Sequence, residues 1–130
     1  TALAIGLMTQ SASAATLKIV VEGIRSTEGS VRIAVFASEA DWLKNGVRAV
    51  AVKPAVPKTS AVVENLEPGE YAISVMADEN DNGFLDVNAM GIPKEPYGFS
   101  NGAKGVFGPA KWVDAKFRVD GDGVIRIRLD

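Results

Sequence analysis

Apolar and polar residues alternate in short runs along most of this chain, and turn residues separate the runs. A period of two residues is typical of strands that bury one face. The runs cover residues 17–22, 31–36, 47–53, 59–64, 71–76, 113–119 and 124–129. About seven strands with no internal repeat predict an all-β fold, a single antiparallel two-sheet β-sandwich.

Strands that are neighbours in sequence are expected to pair with each other. The first two runs therefore predict a hairpin, and the last two predict a closing hairpin through the turn at residues 120–123. Arg126 and Arg128 alternate with apolar residues in the last strand. We expect this strand to be a sheet edge whose charges oppose pairing with another chain.

Residues 38–46 break the alternation between the second and third runs. Ser38 is a residue that caps helices, and Asp41 stands three positions after it, where a capping box has Glu or Gln. We therefore predict one short helical turn here. Its Trp42 and Leu43 side chains are expected to cover an open end of the sheet packing.

The composition restricts the class of protein. The length of 130 residues suits one domain, and 47% hydrophobic with 23% charged residues is globular rather than disordered. A net charge of -2 gives no reason to expect a nucleic acid partner. The chain has neither cysteine nor histidine, so it lacks thiolate ligands and the commonest general base. These absences favour a protein that is not an enzyme.

The first residues have the pattern of a targeting segment. An apolar run at residues 2–8 is followed by a polar step and an Ala-x-Ala site at 12–14. This is the pattern of the end of a secretory signal peptide, and cleavage would follow Ala14. The run is too short to span a bilayer, which takes roughly 20 residues. We therefore predict a signal-peptide remnant at 1–14, a β-sandwich domain at 15–130, and a periplasmic or secreted protein without a membrane span.

Oxygen-bearing side chains recur at alternate positions where the strand at 71–76 ends. Such spacing, followed by a glycine that reverses the backbone, suits a hard cation such as Ca²⁺. The predicted ligands are four side chains and one backbone carbonyl, from Asp78, Asn80, Asn82, Asp86 and, through its carbonyl, Phe84. We expect a weak structural Ca²⁺ site that orders the loop following it.

The stretch at 78–86 departs from an EF-hand, because Ala89 occupies the twelfth position and a strand precedes the loop. Four carboxylates lie within it and no Lys or Arg lies among them, so a cation would relieve their repulsion. Only Asp78 and Asp86 are expected to be charged ligands, which implies a Kd of about 10⁻⁴ to 10⁻³ M. The alternative is a plain turn, because Asp, Asn and Gly dominate turns in any case.

Residues 84–112 show neither the helix nor the strand period and are rich in glycine and proline. Loops of this length are usually functional or disordered, and the aromatic content argues against disorder. We predict an ordered loop that presents a binding surface for a carbohydrate or protein ligand. Its candidate residues are four aromatic and two polar side chains: Tyr97, Phe99, Ser100, Asn101, Phe107 and Trp112. The alternative is that the rings pack inward as a small core beneath the loop.

Three segments of this region, at 78–86, 91–101 and 105–109, resemble a bacterial exported family catalogued as a domain of unknown function (number 2141). The run Gly-Ile-Pro-Lys-Glu-Pro-Tyr-Gly-Phe-Ser-Asn at 91–101 is the most specific part. The resemblance implies a β-sandwich of immunoglobulin or transthyretin-like kind and an exported location. It supplies no activity. Ala77 stands where the family often has histidine, which leaves the oxygen ligands intact.

These features predict an exported, non-enzymatic β-sandwich module whose acidic loop orders a glycine- and aromatic-rich binding loop. We expect a monomer. One alternative is a structural or assembly protein of the cell envelope that holds no metal. Another is a glycan hydrolase using Asp86 and Glu95 as paired carboxylates, which the lack of His, Cys and a nucleophile elbow disfavours.

Overall fold

The computed structural model describes residues 14–130, and these residues form two β-sheets. The predicted signal-peptide remnant at 1–14 lies, except for Ala14, outside the described residues. The described strands are β1 Ala15–Glu22, β2 Ser30–Phe36, β3 Arg48–Val52, β4 Lys58–Leu66, β5 Gly69–Asp78, β6 Tyr97–Phe99, β7 Phe117–Val119 and β8 Gly123–Arg128. The predicted fold class, an all-β two-sheet sandwich, is confirmed.

One sheet has the strand order β4-β1-β8, and the other has the order β3-β2-β5-β6. Strand β7 also belongs to the second sheet, because it pairs with the beginning of β5. All pairs are antiparallel except β1 and β8, which run parallel. We call these the three-stranded and the five-stranded sheet.

The core lies between the inward faces of the two sheets, as the alternation predicts. Ile19 and Val21 of β1 and Ile73 of β5 are 0% exposed. Burying a side chain of this size stabilises the fold by about 1.5–3 kcal/mol. Because successive strand residues point to opposite faces, the intervening residues of β5 face away from this core.

The two predicted hairpins are wrong. Strand β1 pairs with β4 and β8, whereas β2 pairs with β3 and β5. Because β1 and β2 lie in different sheets, the chain crosses from one sheet to the other between them. Ile24 lies in this crossing, where its side chain is buried in the core and its backbone N–H donates to the carbonyl of Pro57 (2.9 Å). The end of the chain crosses likewise, from β7 in one sheet to β8 in the other. The prediction that the last strand is an edge is confirmed.

The predicted helical turn at 38–46 is a series of turns. The Asp41 N–H donates to Ser38 Oγ (3.2 Å) as predicted, and Asn45 N–H donates to the Asp41 carbonyl (2.9 Å). Leu43 has a left-handed backbone (φ 60°), which stops a helix from continuing. Helical structure occurs instead in a 3₁₀ helix, Ser100–Gly102, and in α1, Trp112–Ala115. Within residues 14–130 no helix has the length and apolarity needed to cross a membrane.

A second apolar cluster, which we call the outer cluster, covers part of the outer face of the five-stranded sheet. Its buried members are Phe36, Ala72, Phe99, Ala110, Trp112 and Ala115. Trp42 lies at its centre, with its ring centroid 5.1 Å from Phe36, 5.8 Å from Phe99 and 6.1 Å from Trp112. Its Nε1–H donates to the carbonyl of Ala110 (2.8 Å). Trp42 therefore covers a sheet face rather than the predicted open end, and it fixes the long segment at 84–112 to that face.

Candidate functional site

The Asp78 carboxylate holds the stretch at 78–86 together and is 0% exposed. Its Oδ2 accepts hydrogen bonds from Gly83 N–H (2.7 Å) and from Nε–H of Arg32 on β2 (2.7 Å). Its Oδ1 accepts from Asn82 N–H (3.2 Å). The strand thus ends in a carboxylate that folds the following turn back onto itself.

These contacts determine how Asp78 ionises. Burial by itself raises the pKa of the carboxyl group. The hydrogen bonds from Arg32, Gly83 and Asn82 and the charge of Arg32 lower the pKa further than burial raises it. The pKa of Asp78 therefore lies below its ordinary value, and the folded protein favours the carboxylate form.

Two arginines from distant parts of the chain supply countercharge to the stretch. Arg25 pairs with Glu79 through two contacts, Nε to Oε2 (2.8 Å) and Nη2 to Oε1 (2.7 Å). Arg32 pairs with Asp78, and its Nη2 lies 3.5 Å from Oδ1 of Asp81. No Lys or Arg lies within the stretch itself, but these two arginines reach it from elsewhere in the chain, so the crowding of its carboxylates alone does not call for a cation.

Asp86 is the remaining carboxylate of the stretch, and two asparagine amides hold it. Nδ2 of Asn82 donates to Oδ1 of Asp86 (2.6 Å), and Nδ2 of Asn80 donates to Oδ2. The amide oxygen of Asn82 accepts from Phe84 N–H (3.0 Å), while the Phe84 ring is mostly exposed. All five predicted ligand residues therefore belong to one hydrogen-bonded turn.

The donors present suit a hard cation in kind, because they are carboxylate and amide oxygens. They are few, and among residues 14–130 no group of three or more His, Cys, Asp or Glu side chains is arranged to hold a metal. Asp78 is committed to Arg32, which leaves Asp86 as the carboxylate without an arginine partner in this stretch. The Ca²⁺ site and the plain turn both stay predictions.

Glu95 closes the stretch from the far side of the loop and is 7% exposed. Its Oε2 accepts from Glu79 N–H (2.7 Å), and its Oε1 accepts from Asp86 N–H (2.9 Å). Both oxygens of this buried carboxylate therefore bind backbone. Glu95 joins the two ends of the acidic stretch, a role that the sequence did not reveal.

The side chains of two predicted binding residues, Ser100 and Asn101, form hydrogen bonds with backbone groups of neighbouring elements. Ser100 is fully buried, accepts from Ile73 N–H (2.9 Å) and donates to the carbonyl of Ala115 (2.6 Å). Asn101 has a left-handed backbone (φ 63°), and its Nδ2 donates to the carbonyl of Lys116 (2.7 Å). These residues attach the 3₁₀ helix to β5 and to the region of α1.

The four predicted aromatic residues lie in three different environments. Phe99 and Trp112 are buried in the outer cluster, and Tyr97 is half-buried with its ring centroid 5.8 Å from that of Phe99. Phe107 is fully exposed. Inward packing therefore describes Phe99 and Trp112, an accessible surface describes Phe107, and Tyr97 lies between the two.

An apolar cavity of about 520 Å³ lies on the outer face of the five-stranded sheet, beside the outer cluster. Four residues that are opposite one another in the strand register form one row of its floor: Ala49, Ala34, Ser74 and Phe99. A second row is formed by Ala51, Arg32, Met76 and Tyr97. Leu43, Leu85 and Pro109 from the loops complete the outward lining.

A second cavity of about 630 Å³ adjoins the first. Four residues line both of them: Leu85, Tyr97, Phe99 and Pro109. From there the second cavity extends to Met90 and Phe107, two of the most exposed apolar side chains of the described residues. The long segment therefore forms walls of both cavities.

Sequence reasoning missed the first cavity, although one signal for it was present. Ala49 and Ala51 alternate with larger residues in β3, and Ala34 and Ser74 occupy outward positions in β2 and β5. Outward positions carrying small rather than charged side chains indicate a covered or ligand-facing sheet surface. The loops that wall the cavity are not apparent from such a pattern.

Comparison with known proteins gives a family and no activity. The family model described as an uncharacterized protein conserved in bacteria (DUF2141) matches residues 19–127. No curated protein and no solved structure matches the chain significantly. The matched span contains both the stretch at 78–86 and the strands that floor the cavity. The chain belongs to the DUF2141 family, as its sequence motifs predict.

Proposed function

We propose that this protein is an exported, non-enzymatic module that binds an apolar ligand in the cavity on the outer face of the five-stranded sheet. The observation that carries the proposal is the cavity itself, whose volume of about 520 Å³ lies within the range of ligand sites. Three lining side chains have polar groups, Arg32, Ser74 and Tyr97, and the others are apolar. Removal of the apolar surface of a ligand from water would drive binding.

The lining favours an apolar ligand over a carbohydrate. A sugar presents hydroxyl groups around its ring, and each buried hydroxyl left without a partner lowers the affinity. Three polar side chains supply too few partners for such a ligand. Export is supported separately by the apolar run and the Ala-x-Ala site near the start of the sequence.

The arrangement of the paired carboxylates supports a role without catalysis. Asp86 and Glu95 are the two carboxylates that the hydrolase alternative requires for acid–base work on glycosides. Both oxygens of Glu95 accept hydrogen bonds from backbone N–H groups. Both oxygens of Asp86 accept hydrogen bonds from the side-chain amides of asparagines. These carboxylates are therefore occupied in holding the loop. Assembly through the β8 edge is disfavoured because Arg126 and Arg128 lie along it, exposed.

Binding is tested with the apolar dye Nile red and a pair of tryptophan variants. Ala51→Trp fills one end of the cavity from an exposed position of an edge strand, and it should weaken dye binding at least about fivefold, because it removes apolar contact area. The matched control is Val62→Trp, exposed on β4 of the opposite sheet. No dye binding by the wild type, or equal binding by the two variants, would contradict the proposal.

A weak Ca²⁺ site at the acidic stretch is a second candidate, and one observation favours it. Asp86 has no arginine partner in the stretch, and Asn80 and Asn82 converge on its carboxylate. In the structure their Nδ2–H groups face the carboxylate, so for the ion to bind, both side-chain amides would turn to present their oxygens beside Asp86, with Asp78 remaining paired with Arg32. The ion would then add stability to a turn that hydrogen bonds already form.

The Ca²⁺ candidate is tested by thermal melts with and without millimolar Ca²⁺. At about ten times Kd the ion should stabilise the fold by about 1.4 kcal/mol. The gain should disappear in Asp86→Asn and persist in Asp120→Asn, a control in the exposed turn after β7. An unchanged melting temperature in the wild type would leave the plain turn as the explanation of the stretch.

A further inference from the structure

The first cavity is bounded on both sides along the strand direction. On one side the next pair of opposite residues is Phe36 and Ala72, which lie in the outer cluster with Trp42. On the other side the Arg32 side chain extends to Asp78, in the pair that ends β5. The cavity is therefore narrow along the strands.

Across the strands the cavity is long. The row Ala49, Ala34, Ser74 and Phe99 crosses the four strands β3, β2, β5 and β6. At a strand spacing of about 4.8 Å this row spans about 14 Å. It begins at β3, an edge of the sheet, and ends at Phe99, where the second cavity adjoins.

The charge of the lining matches an uncharged ligand body. Arg32 is the one charged residue among the described residues that line the first cavity, and its Nε–H binds the Asp78 carboxylate at 2.7 Å. Its charge is thereby compensated inside the protein. A charged group moved into this lining would lose its water without gaining a partner of opposite, unpaired charge.

We propose that the ligand is a linear alkyl or acyl chain that lies across the four strands, with its head group in solvent. The inference rests on the proposed function and adds the shape of the ligand to it. A chain fits a site that is narrow in one direction and long in the other, whereas a compact polycyclic molecule of equal carbon number does not. The second cavity receives the end of a longer chain beside Phe107.

The first experiment measures affinities of a series of straight-chain alcohols for the wild-type protein by displacement of Nile red. From octanol to tetradecanol each methylene should raise the affinity up to about fourfold until the site is filled. Adamantanol has as many carbons as decanol and should bind at least about tenfold more weakly, because its shape leaves part of the chain site unfilled. Dodecanol, dodecanoate and dodecylamine should agree within about threefold, because their head groups remain in screened solvent.

Variants at the two ends locate the chain. Ala49→Phe occupies the β3 end and should shorten the chain length at which affinity stops rising, while Val62→Phe on the opposite sheet should not. Phe107→Asn removes an exposed wall of the second cavity at a residue whose left-handed backbone (φ 59°) asparagine tolerates. It should weaken tetradecanol binding and leave octanol binding unchanged.

The outcomes separate this inference from the proposed function. The proposal of a linear ligand would be overturned if adamantanol bound as tightly as decanol, or if Ala49→Phe left the chain-length limit unchanged. In either case, weaker Nile red binding by Ala51→Trp would still support an apolar site in this cavity. A carboxylate preference well above threefold would overturn the placement of the head group in solvent. Failure of Nile red and of every alcohol to bind would overturn both.

Discussion

Asp78 is the residue on which the contacts of the acidic stretch converge, although its sequence context predicts a metal ligand. Arg32 stands 46 positions away in the sequence and supplies the positive charge that a cation was expected to supply. Arg25, 54 positions from Glu79, does the same for a second carboxylate. Local spacing reveals which residues carry oxygen. It does not reveal which distant arginine reaches them.

Replacing Asp78 by asparagine should destabilise the fold by about 2 kcal/mol, because the buried carboxylate loses its ion pair with Arg32 and the Gly83 N–H loses its charged acceptor. Urea denaturation measures this difference. Asp120→Asn is the control, since Asp120 is exposed and pairs with Arg118 at the surface, where such pairs contribute little. Equal stabilities of the two variants would contradict the role given to Asp78.

The pH dependence of stability follows from the same carboxylate. Because folding lowers the pKa of Asp78 from its ordinary value of 3.8, its contribution is fully present above that pH and is lost as the pH falls through the folded-state pKa. Below about pH 4 the wild type should therefore lose stability more steeply than Asp78→Asn. Parallel acid-unfolding curves for the two proteins would contradict this assignment.

At the scale of structural elements, the segment at 84–112 is ordered by polar side chains that bind backbone. Glu95 joins the ends of the acidic stretch, and Ser100 and Asn101 attach the 3₁₀ helix to its neighbours. Gly98 lies so close to β8 that a Cβ there would come within 2.6 Å of the Arg128 carbonyl. Much of the specific run at 91–101 is thus explained by structure rather than by ligand contact.

Ser100→Ala should cost about 1–3 kcal/mol, because it leaves the buried N–H of Ile73 and the carbonyl of Ala115 without this partner. Ser60→Ala, exposed on β4, should change stability by less than about 0.5 kcal/mol. Thermal or urea denaturation of both variants provides the comparison. A Ser100→Ala protein as stable as the Ser60→Ala protein would show that this hydroxyl does not hold the segment.

Glu95→Gln should loosen the acidic stretch locally, because its amide group replaces one acceptor oxygen with a donor that faces a backbone N–H. Hydrogen exchange should accelerate at the amides of Glu79 and Asp86 and remain unchanged in β1. Glu64→Gln, exposed on β4, is the matched control. Unaltered exchange at both amides would contradict the joining role of Glu95.

Most of the strands were predictable, and their pairing was not. Two predictions were wrong: residues 113–115 of the run at 113–119 lie in α1, and β6 lies within the segment at 84–112, where no strand was predicted. Period-two burial of Leu17, Ile19 and Val21 depends only on which residues are apolar, so β1 was predicted from its pattern. Pairing depends on connections that cross between sheets, such as the one at Ile24. The parallel pair of β1 and β8 joins opposite ends of the chain, and no local signal specifies it.

For the whole molecule, the five-stranded sheet uses both of its faces. Its inner face packs against the three-stranded sheet. Its outer face is divided between the outer cluster and the first cavity. The cavity arises where small side chains of β2, β3 and β5 meet loops that come from elsewhere in the chain. The sequence pattern and motifs predicted the sandwich and the acidic stretch. The cavity is formed by strands and loops that are far apart in the sequence, so only the tertiary structure reveals it.

Chemical-shift mapping of the ¹⁵N-labelled protein during titration with dodecanol tests the ligand site most directly. We expect the shifts to concentrate at the amides of Ala34, Ala49, Ser74 and Tyr97 and to be absent at Val62 on the opposite sheet. Saturation of these shifts at a single affinity would identify one site. Shifts confined to the three-stranded sheet, or none at saturating dodecanol, would contradict the claim that the outer face of the five-stranded sheet binds an apolar ligand.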